Sequence, residues 1–272
     1  DSPKVDCNLL DRVGDSPLHQ AVGKGNTEIV RLFLESQRVD CNLLDSLGNT
    51  PLHRALRIEN IEIIRLLLDT QRVDCNLPNR LGDSPLHWAL YMENIEIIRL
   101  LLDNQRVDCN LPSSWGHAPL HQALSKGSIE IIRLLLDTQR VDCTVLSITG
   151  TTAFQRYISY VNYYSNHVGE ATELNRKCFE NKEEIIPMFI KKGADYSFLE
   201  RPSYANTRGL VMPIINKTRE NAKKKQDEEL MPLISRFKPL LPDVISKKVL
   251  EFLPNPIDIA QARQTAINVL NA

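Results

Sequence analysis

The chain has 272 residues and a net charge of −1, with 33 Lys and Arg residues against 34 Asp and Glu residues. This balance excludes a general electrostatic attraction to nucleic acid or to anionic membranes. No apolar run approaches the roughly 18 residues that a membrane-spanning helix needs, and no signal-peptide pattern opens the sequence. We therefore expect a soluble protein with neither a nucleic-acid nor a membrane partner.

The first half of the chain repeats itself with a fixed period. Similar stretches begin at Gly14, Gly48, Gly82 and Gly116, at intervals of 34 residues, and the third reads GDSPLHWALYMENIEIIRLLLD. A fixed period of about 20–50 residues indicates an array of stacked units, each of which packs only against its neighbours.

Each unit predicts two helices and a turn. A hydroxyl residue before a proline, as in Thr50-Pro51, is typical of the start of a first helix. Asn60 and its equivalents cap a second helix, which is apolar on most sides except at Arg65 and is therefore suited to a place between neighbouring units. The glycine-containing stretch LLDSLGN then turns the chain back as a hairpin-like loop.

Five of the six cysteines and four histidines share the period. Stacked layers lie about 8–10 Å apart, too far for a disulfide, which needs Cα atoms within about 7 Å. Equivalent histidines are likewise too far apart to share a metal ion at about 2 Å. We predict buried cysteines in a reducing compartment and histidines that hydrogen-bond to neighbouring backbone.

Nothing in the sequence predicts catalysis. His117 and His121 are four residues apart, but His117 precedes the helix, so a metal site there is not expected. No phosphate-binding glycine loop, no nucleophile elbow and no zinc motif is present. We expect a protein that is not an enzyme and has no catalytic residue, metal or cofactor.

The motifs TPLHRAL (50–56), SPLHQAV (16–22), SPLHWAL (84–90) and APLHQAL (118–124), each followed by EIIRLLLD or a close variant, resemble the ankyrin repeat family. The resemblance implies an all-α ankyrin-repeat solenoid, with tandem repeats over residues 1–149. One departure is notable: the family commonly has a Gly-Ala pair after the second helix, whereas DTQRVDC adds a residue and lacks that glycine. The second helix must therefore end differently.

The residues that vary between units are the candidates for binding. In ankyrin-like arrays such positions line the concave face and the hairpin tips, and Trp, Tyr, Met and Arg suit a binding hot spot. The loop positions Val13, Leu47, Leu81 and Trp115 also vary. Alternatively, some variable positions, notably Ile58 and Leu81, pack between repeats. The predicted target-binding residues are Arg54, Arg57, Trp88, Tyr91, Met92, Trp115 and Gln122.

A degenerate fifth repeat is predicted over residues 150–195. From Ala153 to Glu184 there are 31 positions, against 11 for Pro85 to Glu96, which leaves about 20 inserted residues. The insertion is rich in tyrosine. Such aromatic residues either mark a contact surface or belong to an extended first helix that buries them, and both interpretations stay open. The tyrosines are Tyr157, Tyr160, Tyr163 and Tyr164.

Two further segments follow. Residues 196–236 predict two more helices, forming a helical cap or a degenerate repeat, with KKKQDEE (223–229) as an exposed turn rather than a nuclear signal. Residues 237–272 contain LPDVISKKVLEFL, which resembles the start of an F-box. An ankyrin array that ends in such an element resembles the PRANC proteins of poxviruses, some intracellular bacteria and parasitoid wasps. The alternative is a simple C-terminal helical cap.

The resemblance to PRANC proteins implies an adaptor that recruits a target protein to an SCF-type cullin-RING ubiquitin ligase in the (host) cytoplasm. The alternative is a plain ankyrin binding module or scaffold that sequesters its partner. The residues expected to bind the Skp adaptor of the ligase are Leu241, Pro242, Ile245, Val249, Leu250 and Leu253.

The start of the chain also carries an expectation. DSPKVDCN (1–8) aligns with DTQRVDCN (69–76), so residue 1 falls just after the place where a preceding helix would end. We expect a fragment or a missing earlier repeat, with apolar surface exposed at that end.

Overall fold

The computed structural model describes residues 6–167 and 169–237, and at residues 227 and 229–237 it describes the backbone alone. The described part confirms the all-α array with additional C-terminal helices. The chain divides into two compact units, with the boundary between Phe198 and Leu199. The first four repeats contribute paired helices: α1 Pro17–Gly23, α2 Thr27–Glu35, α3 Pro51–Arg57, α4 Ile61–Asp69, α5 Pro85–Met92, α6 Ile95–Asp103, α7 Pro119–Lys126 and α8 Ile129–Asp137.

The first helices of three repeats begin as the sequence predicts. The hydroxyls of Ser16, Thr50 and Ser84 accept a hydrogen bond from the backbone N–H three residues later, with proline at the first helical position. In the fourth repeat Ala118 stands at the cap and forms no such bond. The N–H of His121 instead donates to the carbonyl of Ala118 at 2.9 Å, so the start of α7 has a backbone partner but no side-chain cap.

The second helices form the apolar centre of the stack. Asn60 and Asn94 cap α4 and α6 as predicted, whereas Ser128 forms no side-chain cap bond at α8. In α4 the side chains of Ile63 and Leu67 are fully buried, and their equivalents in α6 and α8 are buried in the same way. Each helix therefore contributes an apolar face to the layer on either side.

The hairpin turns stack closely on one another. Gly14 and Gly48 adopt the left-handed conformation, with φ of 80° and 75°. A Cβ at Gly14 would lie 2.7 Å from the backbone nitrogen of Ser46, and one at Gly48 would lie 2.6 Å from that of Arg80. Only glycine combines this conformation with this approach, so consecutive turns are held in direct contact.

Arginines replace the missing glycine at the ends of the second helices. The guanidinium of Arg72 donates hydrogen bonds to the carbonyls of Leu34 (2.8 Å), Ser36 (3.0 Å) and Val39 (2.6 Å) in the preceding repeat. The last carbonyls of a helix have no partner within it, and a cation is stabilised by their partial negative charge. Equivalent contacts are made by Arg106 and Arg140. We call Arg72, Arg106 and Arg140 the loop arginines.

An asparagine ladder joins the same loops. The side-chain amide of Asn42 donates to the carbonyl of Arg72 (2.8 Å), and its oxygen accepts from the backbone N–H of Asp74 (2.7 Å). Asn8, Asn76 and Asn110 make the same pair of bonds to their next repeats. Thr144 stands at the fifth position and bonds locally to Asp142 instead, so the ladder ends there.

The cysteines lie where the sequence predicts. Cys41, Cys75, Cys109 and Cys143 are buried free thiols, while Cys7 in the first layer is half-buried. Apolar surface is exposed in that layer, as expected: Ile29 of α2 is 43% exposed, whereas its equivalent Ile63 is fully buried.

The region predicted as a fifth repeat contains three helices. Its first helix, α9 (Ala153–Asn166), has 14 residues, and the insertion adds α10 (Glu173–Glu180) before the second helix, α11 (Lys182–Lys191). Tyr157 is fully buried and its hydroxyl donates to the carbonyl of Cys178 at 2.7 Å, whereas Tyr163 is exposed. The extended-helix interpretation therefore accounts for Tyr157.

The C-terminal unit differs from the prediction of two helices joined by a turn. Between Asp195 and the last described residue, one continuous helix, α12 (Ala205–Phe237), follows two short 3₁₀ turns, Ser197–Glu200 and Pro202–Tyr204. The KKKQDEE stretch lies within α12 because Lys, Glu and Gln are strong helix formers, and Lys224 and Glu228 approach to 3.9 Å one turn apart. The F-box-like segment from residue 238 onward lies outside the described residues.

Candidate protein-binding surface

The hairpin turns and the exposed sides of the first helices form what we call the inner surface of the array. The first helices α1, α3, α5, α7 and α9 pack side by side in chain order. Residues at equivalent positions therefore form columns that cross the layers. One such column contains Arg57 and Tyr91, both exposed.

An aromatic cluster lies in the middle of this surface. The rings of Trp88 and Tyr91 lie 6.1 Å apart, centre to centre, and Tyr91 is 59% exposed. From the next repeat, the ammonium of Lys126 stands 4.2 Å from the centre of the Tyr91 ring and 3.8 Å from a carboxylate oxygen of Glu93. This cation–π contact favours one orientation of the Tyr91 ring, although the side chain is mostly exposed.

Trp88 is only half-buried, but its indole nitrogen is enclosed. That N–H group has no hydrogen-bond acceptor among the described residues. A buried donor without a partner destabilises the folded state. Stability therefore does not explain why a tryptophan stands at position 88.

Arg54 and Gln122 have contacts within the array. The guanidinium of Arg54 forms two hydrogen bonds with the carboxylate of Asp15 in the preceding repeat, at 2.9 and 3.1 Å. Gln122 donates from Nε2 to the carbonyl of His87, also in the preceding repeat, at 3.0 Å. These two predicted binding residues therefore join neighbouring layers, and their contact with a target stays a prediction.

The remaining predicted residues are accessible. Met92 lies on the exposed side of α5 beside Tyr91, and Trp115 projects from the fourth hairpin turn. Arg57 is exposed on α3. The structure thus places Arg57, Tyr91, Met92 and Trp115 on the inner surface.

An apolar row runs along the hairpin tips. Of its four residues, Trp115 alone is also a predicted target-binding residue. The row consists of what we call the tip residues, 62% to 71% exposed: Val13, Leu47, Leu81 and Trp115. The alternative that Leu81 packs between repeats is therefore wrong. Ile58 is half-buried. The sequence signal for this row was an apolar residue that varies at one turn position of the first four units.

The histidines and cysteines of the array have structural roles. Each of His19, His53, His87 and His121, the cap histidines, bonds through Nε2 to a backbone carbonyl of the next repeat at 2.9–3.0 Å, which confirms the predicted role. Burial lowers the pKa of each ring, that of His53 to about 4. Burial raises the pKa of the Cys143 thiol to about 12, so this thiol is not a nucleophile at neutral pH.

Nε2 of His117 and Nε2 of His121 also have their contacts within the array. Their rings stack 6.2 Å apart, while Nη2 of Arg156 lies 3.4 Å from Nε2 of His117. No group of three or more residues suited to holding a metal ion lies within the described residues. Within the same part of the chain, no helix is long and apolar enough to cross a membrane.

The predicted Skp-adaptor residues are not on this surface. Leu241, Pro242, Ile245, Val249, Leu250 and Leu253 lie outside the described residues.

Comparisons with known proteins agree with this geometry. The chain resembles an ankyrin repeat protein whose structure is titled EF0377, with 29% identity and a TM-score of 0.53 over 76% of this chain and 97% of that one. It also resembles the ankyrin repeat domain of Bcl-3, of the IkappaB family, with 24% identity and a TM-score of 0.56 over 70% and 75% of the two chains. The second likeness concerns the fold alone. No curated protein matches the chain significantly.

The family model for ankyrin repeats in three copies matches residues 3–79 and 70–147. These matches span more than half of the sequence, and they coincide with the four regular repeats. The chain therefore belongs to the ankyrin repeat family, whose arrays are protein–protein interaction modules.

Proposed function

We propose that the chain binds a target protein on its inner surface, with repeats two to four supplying the main contacts. The observation that carries this proposal is the position of Tyr91 and Trp115, which are large, exposed and specific to single repeats. Aromatic residues and arginine carry much of the binding energy at protein interfaces. Tyr91 is already oriented by Trp88 and Lys126, so little side-chain freedom is lost on contact.

Arg54 and Gln122 have a positioning role in this proposal. Because both bond to the preceding repeat, they fix the spacing of the helices that present Arg57, Tyr91 and Met92. Repeat arrays use such rigid, extended surfaces for recognition.

We further propose that the C-terminal segment joins the bound target to a cullin-RING ubiquitin ligase. The support is the pattern LPDVISKKVLEFL at 241–253 and its place after an ankyrin array. An amphipathic helix there would lay its apolar side chains into a groove of the Skp adaptor. This role requires the cytoplasm of a eukaryotic cell. A plain binding module, which sequesters its partner without a ligase, is the alternative.

The target-binding proposal is tested with the double variant Tyr91→Ala, Trp115→Ala. Both side chains are mainly exposed, so the melting temperature should change little. Quantitative affinity purification from eukaryotic cytosol should recover the target with the unmodified chain and lose it with the variant. The matched control, Glu96→Ala with Arg99→Ala on the exposed side of α6, should recover it fully. Retention of all partners by the inner-surface variant would contradict the proposal.

The adaptor proposal is tested separately with Leu241→Asp, Leu250→Asp. Burying charge in an apolar groove costs several kcal/mol, enough to remove a micromolar contact of about 8 kcal/mol from detection. The Skp adaptor and cullin should no longer co-purify, while target recovery continues. If the unmodified chain brings down no Skp adaptor, the ligase link falls and the plain binding module stands.

A further inference from the structure

An arginine of the second repeat lies in a defined place on the first repeat. The guanidinium of Arg54 forms two hydrogen bonds with the carboxylate of Asp15, at 2.9 and 3.1 Å. A Cβ at Gly23 would lie 3.0 Å from Nε of Arg54, so the same group also lies directly beside Gly23. The guanidinium is therefore held between the residue that follows the hairpin glycine and the residue eight positions later.

The fifth repeat places an arginine on the fourth repeat in the same way. Nη2 of Arg156 lies 3.4 Å from Nε2 of His117, and Nη1 donates to the hydroxyl of Ser125 at 3.0 Å. His117 and Ser125 stand at the two equivalent positions of their repeat. We call the place between these two positions of a repeat the guanidinium site.

In the third repeat the guanidinium site lies between Asp83 and Tyr91, and no arginine among the described residues is bonded there. The residue opposite it in the fourth repeat is Gln122, which donates to the carbonyl of His87 at 3.0 Å instead. Tyr91 also has a large side chain at the position where Gly23 has none, so it obstructs the path that an arginine from the next repeat would take. A cation that binds Asp83 therefore comes from solvent and not from the array.

The carboxylate of Asp83 has no counterion. Within the described part of the chain it forms neither an ion pair nor a side-chain hydrogen bond, although the backbone N–H of the same residue is fixed by the side chain of Asn79 at 3.0 Å. Lys126 pairs with Glu93 instead. Asp83 is half-buried, and desolvation raises the pKa of its carboxyl group. A partly desolvated charge without a partner is unfavourable, and a cation placed beside it stabilises the ionised form.

We infer that the carboxylate of Asp83 binds an arginine side chain of the target protein, beside Tyr91. The inference rests on the proposed target-binding function and assigns the chemistry of one contact within it. An arginine fits this place better than a lysine, because its planar guanidinium bonds to both oxygens of a carboxylate, as Arg54 does, and also stacks on aromatic rings. Tyr91, which is 59% exposed, supplies such a ring.

The variant Asp83→Asn tests the contact in affinity purification from eukaryotic cytosol. It removes the charge and keeps the shape, and the array accommodates it because Asn49 stands at the equivalent position of the second repeat. Target recovery should fall about tenfold or more, while the melting temperature stays the same or rises. The matched control Glu96→Gln, on the exposed side of α6, should recover the target fully.

A titration of the full chain followed by NMR tests the choice of arginine without the target. N-acetyl-arginine amide should shift the backbone amide signals of Asp83 and Tyr91 in a saturable way. N-acetyl-citrulline amide, which has a similar shape and no charge, should not shift them, and N-acetyl-lysine amide should bind at least about threefold more weakly. The shifts should be lost in Asp83→Asn.

Several outcomes would overturn the inference: full recovery of the target by Asp83→Asn, arginine-induced shifts that are absent or persist in that variant, or equally tight binding of the lysine or citrulline compound. A marked fall in the melting temperature of Asp83→Asn would also overturn it, because the carboxylate would then serve the array itself. The proposed function is judged separately by Tyr91→Ala, Trp115→Ala. If the unmodified chain recovers no target, the proposed function falls and the titration alone decides whether Asp83 binds arginine.

Discussion

At the scale of the single residue, the cap histidines do two tasks at once. In the second repeat, Nδ1 of His53 lies 2.9 Å from the hydroxyl of Thr50, while Nε2 lies 3.0 Å from the carbonyl of Asp83 in the next repeat. A carbonyl can only accept, so Nε2 carries the proton and Nδ1 is the acceptor. The neutral ring therefore caps its own helix and ties it to the next layer.

This arrangement predicts a loss of stability in mild acid. The folded-state pKa of His53, about 4, lies below its unfolded value of about 6.5. The stabilisation by the neutral ring is therefore complete above about pH 6.5 and is lost as the pH falls toward 4, because the unfolded chain takes up the proton first. For His53 the loss is on the order of 3 kcal/mol, measurable by urea unfolding across this range.

Carboxylates titrate in the same range, so the control is the variant His53→Gln. It should be less stable than the unmodified chain at pH 7, and the difference between the two should shrink as the pH falls to 4. A difference that stays constant with pH would contradict the role given to the neutral imidazole.

A second prediction at this scale concerns the cap that is missing in the fourth repeat. Ala118 leaves Nδ1 of His121 without a partner among the described residues and the start of α7 without a side-chain cap. Ala118→Ser should restore both contacts, since Ser84 fills the equivalent position. We expect about 0.5–2 kcal/mol of added stability in chemical denaturation. The reverse change, Ser84→Ala, should lower stability by a similar amount, and equal stabilities would refute the argument.

At the scale of the element, the loop arginines end the second helices in place of glycine. Arg106 donates to carbonyls at and beyond the end of α4, including that of Val73 at 2.8 Å. In the fifth layer Lys192 has the role of the loop arginines, and its ammonium group donates to the carbonyl of Thr138 at 2.5 Å. The carbonyls at the ends of the second helices α2, α4, α6 and α8 are thus each bonded by a cation from the following repeat. This contact couples helix formation to stacking of the repeats.

Removing one loop arginine should therefore cost more than removing a surface arginine. Arg106→Ala leaves several half-buried carbonyls without a charged donor, and we expect a loss of about 1.5–3 kcal/mol. Arg99→Ala, on the exposed side of α6, should change stability by less than about 0.5 kcal/mol. Thermal and urea unfolding of the two variants side by side would measure this, and similar small losses would show that water replaces the guanidinium.

At the scale of the whole molecule, the repeat period made most of the fold predictable. Proline after a hydroxyl cap located the first helices of the first three repeats, and the apolar faces of the second helices identified the centre of the stack. The loop arginines and the asparagine ladder were not predictable, because Arg72 and Asn42 bond to backbone atoms 30–38 residues away, which no local pattern reveals. The turn expected at KKKQDEE was wrong because its charges support a helix when they stand four apart.

The binding surface was less predictable than the fold, again because the sequence does not show which residues contact each other between repeats. Variation between units located Tyr91 and Trp115, which are exposed. It could not separate them from Arg54, whose variation reflects its ion pair with Asp15 in the neighbouring layer. A residue that differs between repeats contacts either a target or an equally different neighbour, and only the three-dimensional contacts distinguish the two.

The coupling between layers gives the last prediction, which concerns unfolding of the array. Leu67 is fully buried in α4, and α4 packs against both α2 and α6. Leu67→Ala should cost about 2–5 kcal/mol and should lower hydrogen-exchange protection in α2 and α6 as well as in α4, since neighbouring repeats stabilise one another. Leu32→Ala, at a side chain that is 58% exposed in the first layer, should have little effect. If Leu67→Ala weakened protection in α4 alone, the repeats would be unfolding independently and the stacking contacts would carry less of the stability than their burial implies.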